Sequence, residues 1–235
     1  ILKTIALFLM IGFAGCDDYV ELAPIGPDAD DYFNNAEEYQ NALIGAYDLL
    51  GASYVNVLTG VVASDDYAAG GDTFTEDQPT LQNVNRMTHS GADENQLRDI
   101  WNFMYSGINR ANFLLEYKNK IEFEGKDEII AQTYFLRAYY TFELVKFFGN
   151  IPLKVYTTDE GVQRIVDERF VIGEEFSVNR TQDISAAYAL IEEDLKAAIT
   201  DLPPTQDQPY KVTKGGAQAL LGKVYLYHGT FDDTK

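Results

Sequence analysis

The residue types that could carry covalent, metal or acid-base chemistry are few in this 235-residue chain. It contains one cysteine, Cys16, and two histidines, His89 and His228. A single cysteine forms no intramolecular disulfide, and this set cannot supply a structural zinc site of the Cys/His type. No recognisable nucleophile and base accompany either histidine. The sequence therefore predicts a protein that is not an enzyme and that uses no metal or cofactor.

Adjacent carboxylates are the remaining catalytic candidates, with Asp65 and Asp66 as the clearest pair. A glycoside hydrolase needs an acid and a base that flank the glycosidic bond from about 5 to 10 Å apart in different environments. Neighbouring residues rarely meet that requirement, so a secreted glycoside hydrolase is the less favoured alternative. The acidic stretch around this pair lacks the EF-hand spacing, and no calcium site is predicted.

Cys16 stands where covalent lipid attachment is expected. Lys3 precedes an apolar stretch over residues 5–14, which has the length of a signal-peptide core and is too short to span a bilayer. The small residues Ala14 and Gly15 leave a narrow backbone for a peptidase, and the thiol that follows supplies a nucleophile for lipid transfer. The sequence "FAGC" therefore resembles a bacterial lipobox, with Cys16 as the attachment residue.

The residues around Cys16 suggest three segments. Asp17 and Asp18 argue against a buried cysteine, because adjacent carboxylates are costly to bury without partners. We expect a lipoprotein signal peptide over 1–15, incomplete at its start since the chain begins with Ile1, and an acidic tether over 16–34. Acyl chains on the cysteine would anchor the chain stably when two or more are attached. Residues 35–235 then form the folded domain.

The charge balance excludes one class of partner. The chain has 37 acidic and 18 basic side chains, for a formal net charge of -19. Such a surface repels the phosphate backbone that dominates nucleic-acid affinity, so no nucleic-acid binding is expected. An anionic membrane surface is disfavoured for the same reason, so any membrane attachment must come from apolar or covalent means.

Apolar periodicity predicts a mainly helical domain. Stripes with three-and-four spacing occur near 35–50, 97–115, 127–148, 184–202 and 217–225, and 151–157 alternates briefly as an extended segment. Helix starts near 96 and 127 repeat at about the same interval as those near 183 and 215. This layout predicts an all-α fold of tetratricopeptide-like helical hairpins with long irregular loops. The helix after 127 is expected to face inward with Tyr134, Phe135, Ala138, Tyr139, Phe142 and Val145.

A long polar segment, 63–95, is rich in Gly, Asp, Asn and Thr and shows no sustained period. Loops of this length inside a compact domain are often functional. Sugar capture needs flat aromatic faces for the apolar side of a pyranose and planar amides or carboxylates for its hydroxyls. The segment supplies ligand-binding candidates of these kinds, namely Asp65, Asp66, Tyr67, Asp72, Phe74 and Asn83.

Several of the helical stretches resemble one family, the SusD/RagB-like outer-membrane lipoproteins. The resemblance is carried by "YFLRAYYTFELVKFFGNIPL" at 134–153, "IWNFMYSGINRANFLLE" at 100–116, "AYALIEEDLKAAITDLP" at 187–203 and "VTKGGAQALLGKVYLYHG" at 212–229. Together with the lipobox it runs from the signal peptide to the last residue. Members of the family are about twice as long, so the resemblance implies an N-terminal half whose C-terminus is truncated.

The resemblance also implies a function. It implies a cell-surface lipoprotein, held on the outer membrane by its lipid anchor, that binds a glycan or another nutrient and delivers it to a SusC-type TonB-dependent transporter. A helical-repeat adaptor of the transporter complex, without a small ligand of its own, is the alternative from another class. Neither reading involves catalysis.

Overall fold

The computed structural model describes residues 32–71, 77–89, 95–152, 154–157, 163–166 and 184–229, with the backbone alone for the two strand segments. The lipid-attachment candidate Cys16 and the ligand-binding candidates Asp72 and Phe74 lie outside these residues. The predicted signal peptide over 1–15 and all but the last three residues of the predicted tether over 16–34 lie outside them as well.

The described chain starts with helix α1, Ala36–Asp48, followed by a 3-10 turn, Leu49–Ser53, and helix α2, Tyr54–Val62. Asn35 caps α1, because its side-chain oxygen accepts a hydrogen bond from the backbone N–H of Glu38 at 3.0 Å. The predicted helix start near residue 35 is therefore confirmed.

The apolar stripe near 35–50 predicts a helix that stops at Gly51, but the chain stays helical beyond this residue. Gly51 has no left-handed backbone conformation, and the chain passes through the 3-10 turn directly into α2. Helix α2 has the sequence "YVNVLTGVV", which contains no charged residue. Its polar residues Asn56 and Thr59 lie on the buried side, so an apolar stripe does not mark its inward face.

The four long helices that follow lie in the predicted order, whereas the short helix α3 and the strand β2 were not predicted. Helix α5 ends at Gly149, which adopts a positive φ of 64°, and Thr213 caps α7 by accepting the N–H of Gly216 at 3.2 Å. The extended segment near 151–157 is confirmed as strand β1, which pairs with β2 in an antiparallel hairpin. The bounds are α3, Pro79–Asn85; α4, Asn95–Glu116; α5, Lys126–Phe148; β1, Lys154–Thr157; β2, Gln163–Val166; α6, Ile184–Asp201; and α7, Lys214–His228.

Consecutive helices pack against one another from α4 to α7, as the predicted hairpin arrangement requires. Helix α5 lies at the centre, because it contacts α4, α6 and α1. The prediction of a single inward face on α5 is wrong in part: Tyr134, Phe135 and Tyr139 are half-buried, whereas Leu136 and Tyr140 are buried. A helix enclosed by neighbours on several sides buries residues all round its axis.

A buried ion pair joins three of these helices. The Nε and Nη2 of Arg137 on α5 donate to the two carboxylate oxygens of Asp194 on α6 at 2.7 and 2.6 Å. Its Nη1 donates to the Oδ1 of Asn112 on α4 at 3.1 Å. Arg137 is only 2% exposed. Burial acts to lower the pKa of Arg137, but the charge and hydrogen bonds of Asp194 outweigh it and raise that pKa.

Tyrosine hydroxyls tie α1 to this central layer. The hydroxyl of Tyr140 on α5 donates to the backbone oxygen of Ala46 at 2.6 Å. The hydroxyl of Tyr47 donates to Gln132 at 2.8 Å and accepts the backbone N–H of Val212 at 3.1 Å. Burial raises the pKa of Tyr47 to about 12, so the hydroxyl keeps its proton at neutral pH. These bonds set the position of α1 on the helical layer.

Gly107 is expected to tolerate no larger residue. A Cβ atom at this position of α4 would lie 2.5 Å from the ring of Tyr140. That ring cannot move freely, because its hydroxyl is bonded to Ala46. We predict that Gly107→Ala lowers the free energy of unfolding of the full-length protein by about 1–3 kcal/mol, measured by urea denaturation.

Gly45→Ala on α1 is the matched control, because no atom lies within 4 Å of a Cβ at that helical position. It should leave stability unchanged or raise it by up to about 1 kcal/mol through helix propensity. Equal unfolding midpoints for the Gly107 and Gly45 variants would contradict the packing described.

The ion pair makes a second stability prediction. Asp194→Leu leaves the guanidinium of Arg137 buried without a carboxylate, which should cost about 3–5 kcal/mol in the free energy of unfolding of the full-length protein. The double variant Arg137→Met with Asp194→Leu should be more stable than Asp194→Leu alone, because it removes the uncompensated charge. If the losses of unfolding free energy in Asp194→Leu and in Arg137→Met add up to the loss in the double variant, Arg137 and Asp194 are not energetically coupled.

Candidate functional site

Side-chain amides brace the backbone between α2 and α4. The Nδ2 of Asn85 donates to the backbone oxygens of Val62 at 2.9 Å and Tyr67 at 3.3 Å. The Nε2 of Gln82 donates to the backbone oxygen of Asp77 at 2.8 Å. Both amides belong to the short helix α3, which therefore holds the segment that leaves α2.

Helix α3 corrects the prediction that 63–95 is irregular throughout. Pro79 occupies the first turn of α3, where its fixed φ suits a helix and its missing N–H costs nothing. Val84 is buried, and left-handed residues, Gln78 and Met87, flank the helix. Pro79 was the available sequence signal, but about two turns of helix among polar residues have too few apolar positions to show a period.

The structure brings Asp65, Asp66 and Tyr67 together on one exposed turn, immediately after α2. Tyr67 is 65% exposed, and its backbone oxygen is the one that Asn85 holds. This turn therefore presents an aromatic ring and two carboxylates to solvent on a braced backbone.

Asn83 differs from the other predicted ligand-binding residues. It is half-buried on α3, and its Oδ1 accepts a hydrogen bond from the hydroxyl of Thr88 at 3.5 Å. Its backbone oxygen also accepts the N–H of Thr88 at 2.9 Å. Asn83 thus helps to end α3, and the structure does not place it on the turn with Tyr67.

The two histidines occupy different environments. His89 is exposed after α3. The ring of His228 stacks on Tyr188, with centroids 4.4 Å apart and planes 7° apart, and its Nδ1 lies 3.4 Å from Glu192. Within the described part of the chain, no three His, Cys, Asp or Glu side chains form a group that could hold a metal ion.

Sequence reasoning missed a groove between α2, α5 and α7. It has a volume of about 470 Å³. Its polar residues are linked: the Nδ2 of Asn56 donates to Glu143 at 2.7 Å, and Glu143 pairs with Lys146 at 2.5 Å. Val57 and Tyr227 contribute apolar surface. Because the walls come from helices far apart in sequence, and α2 itself was not predicted, no local pattern could have identified this groove.

Residues 36–62 are, by length and composition alone, apolar enough to cross a membrane. The 3-10 turn divides this stretch, and the buried face of α1, with Tyr39, Leu43 and Ala46, lies in the domain core. Helix α1 contacts α4 and α5. Only 28% of the apolar window is buried, so this segment packs on the domain through the inner face of α1 and leaves side chains such as Val57 on α2 exposed.

The fold defines a helical-repeat protein in which stacked helices carry a braced polar turn at one edge. Residues 28–226 match a SusD-like family model described as starch-binding and associating with the outer membrane. The match covers most of the chain, and the chain belongs to the SusD-like family. The predicted family and the predicted mainly helical fold are both confirmed.

Individual relatives agree with this assignment. SusD-like protein P2 of Formosa agariphila is 27% identical over 97% of this chain and 43% of its own length. A solved structure of a laminarin-binding SusD-like protein is 31% identical with a TM-score of 0.66, over 84% of this chain and 41% of that one. Surface glycan-binding protein A from Bacteroides fluxus is 26% identical with a TM-score of 0.64, over 83% and 40%. The chain thus spans about two fifths of the length of these relatives.

Proposed function

We propose that this protein is a lipid-anchored lipoprotein of the outer-membrane surface that binds a glycan and delivers it to a SusC-type TonB-dependent transporter. Family membership supports this assignment, and two structural relatives are named for laminarin binding and surface glycan binding. Laminarin, a glucan, is therefore the first ligand to test.

The observation that carries the proposal is the braced turn with Tyr67. A pyranose ring stacks its apolar face on an exposed aromatic ring, while carboxylates accept hydrogen bonds from its hydroxyls. Tyr67 offers the ring, Asp65 and Asp66 offer the carboxylates, and Asn85 holds the backbone that positions them. Because the backbone is already held, less ordering entropy is lost when a glycan binds.

The same geometry favours binding over hydrolysis. Asp65 and Asp66 are successive exposed residues on one turn, so both carboxylates lie in a similar, solvated environment. Glycoside hydrolysis requires two carboxyl groups on opposite sides of the scissile bond, in environments that separate their pKa values. We therefore assign these carboxylates to recognition of hydroxyl groups and propose no catalytic residue.

Tyr67 provides the direct test of glycan binding. We predict that Tyr67→Ala in the full-length protein weakens binding of laminarin oligosaccharides about tenfold, which corresponds to about 1.4 kcal/mol. Tyr67→Phe should bind within about threefold of the parent, because the stacking ring is kept. Isothermal titration calorimetry measures all three affinities.

Tyr210→Ala is the matched control, because Tyr210 is 64% exposed but lies between α6 and α7. It should bind laminarin oligosaccharides as the parent does.

If Tyr67→Ala binds with the affinity of the parent, the turn is not part of the binding site. If the full-length protein binds no polysaccharide yet still copurifies with its transporter, the protein is an adaptor without a small ligand. Release of reducing sugar from laminarin would instead indicate a hydrolase.

The anchor has its own test at Cys16. We predict that cells expressing the full-length protein incorporate a clickable fatty acid into it, and that Cys16→Ala abolishes both labelling and membrane retention. The thiol is the acyl acceptor, so no other side chain replaces it. Tyr210→Ala should label like the parent. Equal labelling and equal membrane retention of the parent and Cys16→Ala would refute lipidation.

A further inference from the structure

The side-chain amide of Gln82 joins two stretches of backbone on either side of the candidate site. Its Nε2 donates to the backbone oxygen of Asp77 at 2.8 Å and to that of Gly70 at 3.4 Å. Gly70 follows Tyr67 by three residues, whereas Asp77 lies just before α3. The amide therefore holds the chain beyond Tyr67 against the start of α3.

The orientation of this amide is fixed on its other side. The Nη2 of Arg86 donates to the Oε1 of Gln82 at 3.3 Å, so the oxygen is occupied and the NH₂ group faces the two carbonyls. Gln82 is buried, which limits the competition of water for its donors. Gln78, with a left-handed φ of 52°, turns the backbone into α3 and places Gln82 one helical turn further on.

Gly71 provides the space for this contact. Its φ is 102°, a conformation that residues with a side chain rarely adopt. A Cβ at this position would lie 3.0 Å from the backbone oxygen of Asp77 and 3.2 Å from the Nε2 of Gln82. The neighbouring Gly70 has no such restriction, because no atom lies within 4 Å of a Cβ there and its φ is outside the left-handed region.

Asn85 and Gln82 thus hold the turn with Tyr67 from both sides. Asn85 bonds to the backbone oxygens of Val62, before the turn, and of Tyr67 itself. Gln82 bonds to Gly70, after the turn. An exposed turn without such contacts samples many backbone conformations, and that freedom is lost when a ligand binds.

We propose that Gln82 is a positioning residue for the turn with Tyr67, and that Gly71 supplies the space in which it acts. Gln82 acts through the backbone and contacts no ligand itself. Its use in glycan recognition rests on the proposed function. The holding of the turn is a property of the fold, and it can be measured without ligand.

Gln82→Glu in the full-length protein tests the donor. Glutamate keeps the shape of glutamine and accepts from Arg86, but its carboxylate has no N–H for Asp77 and Gly70. We expect faster hydrogen–deuterium exchange in peptides covering 65–71, with little change in the urea unfolding midpoint. The affinity for laminarihexaose, measured by isothermal titration calorimetry, should fall about five- to tenfold. Saturating laminarihexaose should restore the slow exchange, because the bound glycan then holds the turn.

Gly71→Ala tests the same contact from the other side and introduces no charge. It should accelerate exchange over 65–71 and weaken laminarihexaose binding by a similar factor. Gly70→Ala is the matched control, because the same methyl group meets no atom at that position. It should match the parent in both exchange and affinity.

Three results would overturn the proposal. Weaker binding without faster exchange would make Gln82 a ligand contact. Faster exchange with the affinity of the parent would show that the turn need not be held. A uniform rise in exchange along the chain, with a lower urea midpoint, would assign Gln82 to the stability of the domain alone. If the parent binds no glycan, the proposed function fails, whereas faster exchange confined to 65–71 still supports the positioning of the turn.

Discussion

The arrangement of the helices depends on how the guanidinium of Arg137 is satisfied inside the protein. Its donors reach Asp194 and Asn112, so one side chain specifies the approach of α4 and α6 to α5. Removing two charges from water is costly, and only a bidentate pair with further hydrogen bonds offsets that cost. A different register of the helices would leave a buried charge unpaired. We expect the pair to contribute more to the specificity of packing than to its strength.

Contacts with α5 set the positions of the outer helices α1 and α2. Tyr140 bonds to Ala46, Tyr47 bonds to Gln132, and Asn56 bonds to Glu143. These contacts set α1 and α2 on α5, and the backbone leaves α2 toward the turn that α3 braces. Tyr67 is therefore held by a chain of contacts that begins in the core. This arrangement places an adaptable polar surface on a rigid support, as ligand recognition requires.

The long amphipathic helices were predictable, because α4 and α6 each bury one regular stripe. Caps such as Asn35 and Thr213 were predictable too, since their side chains act on the next turn. Helix α2 was not, because its polar residues Asn56 and Thr59 lie on the buried side, and α3 was too short to show a period. At the candidate site, the sequence predicted an exposed Tyr67, but only the fold shows that Asn83 serves α3. Pairings such as Arg137 with Asp194 are set by packing between distant segments.

In the proposed function, a helical scaffold presents the turn around Tyr67 to a glycan. The most direct measurement is a crystal structure of the full-length protein with a laminarin oligosaccharide. We expect a sugar ring stacked on Tyr67, with its hydroxyls within about 3 Å of Asp65 or Asp66. A bound oligosaccharide at another surface, with the ring of Tyr67 left in solvent, would contradict it.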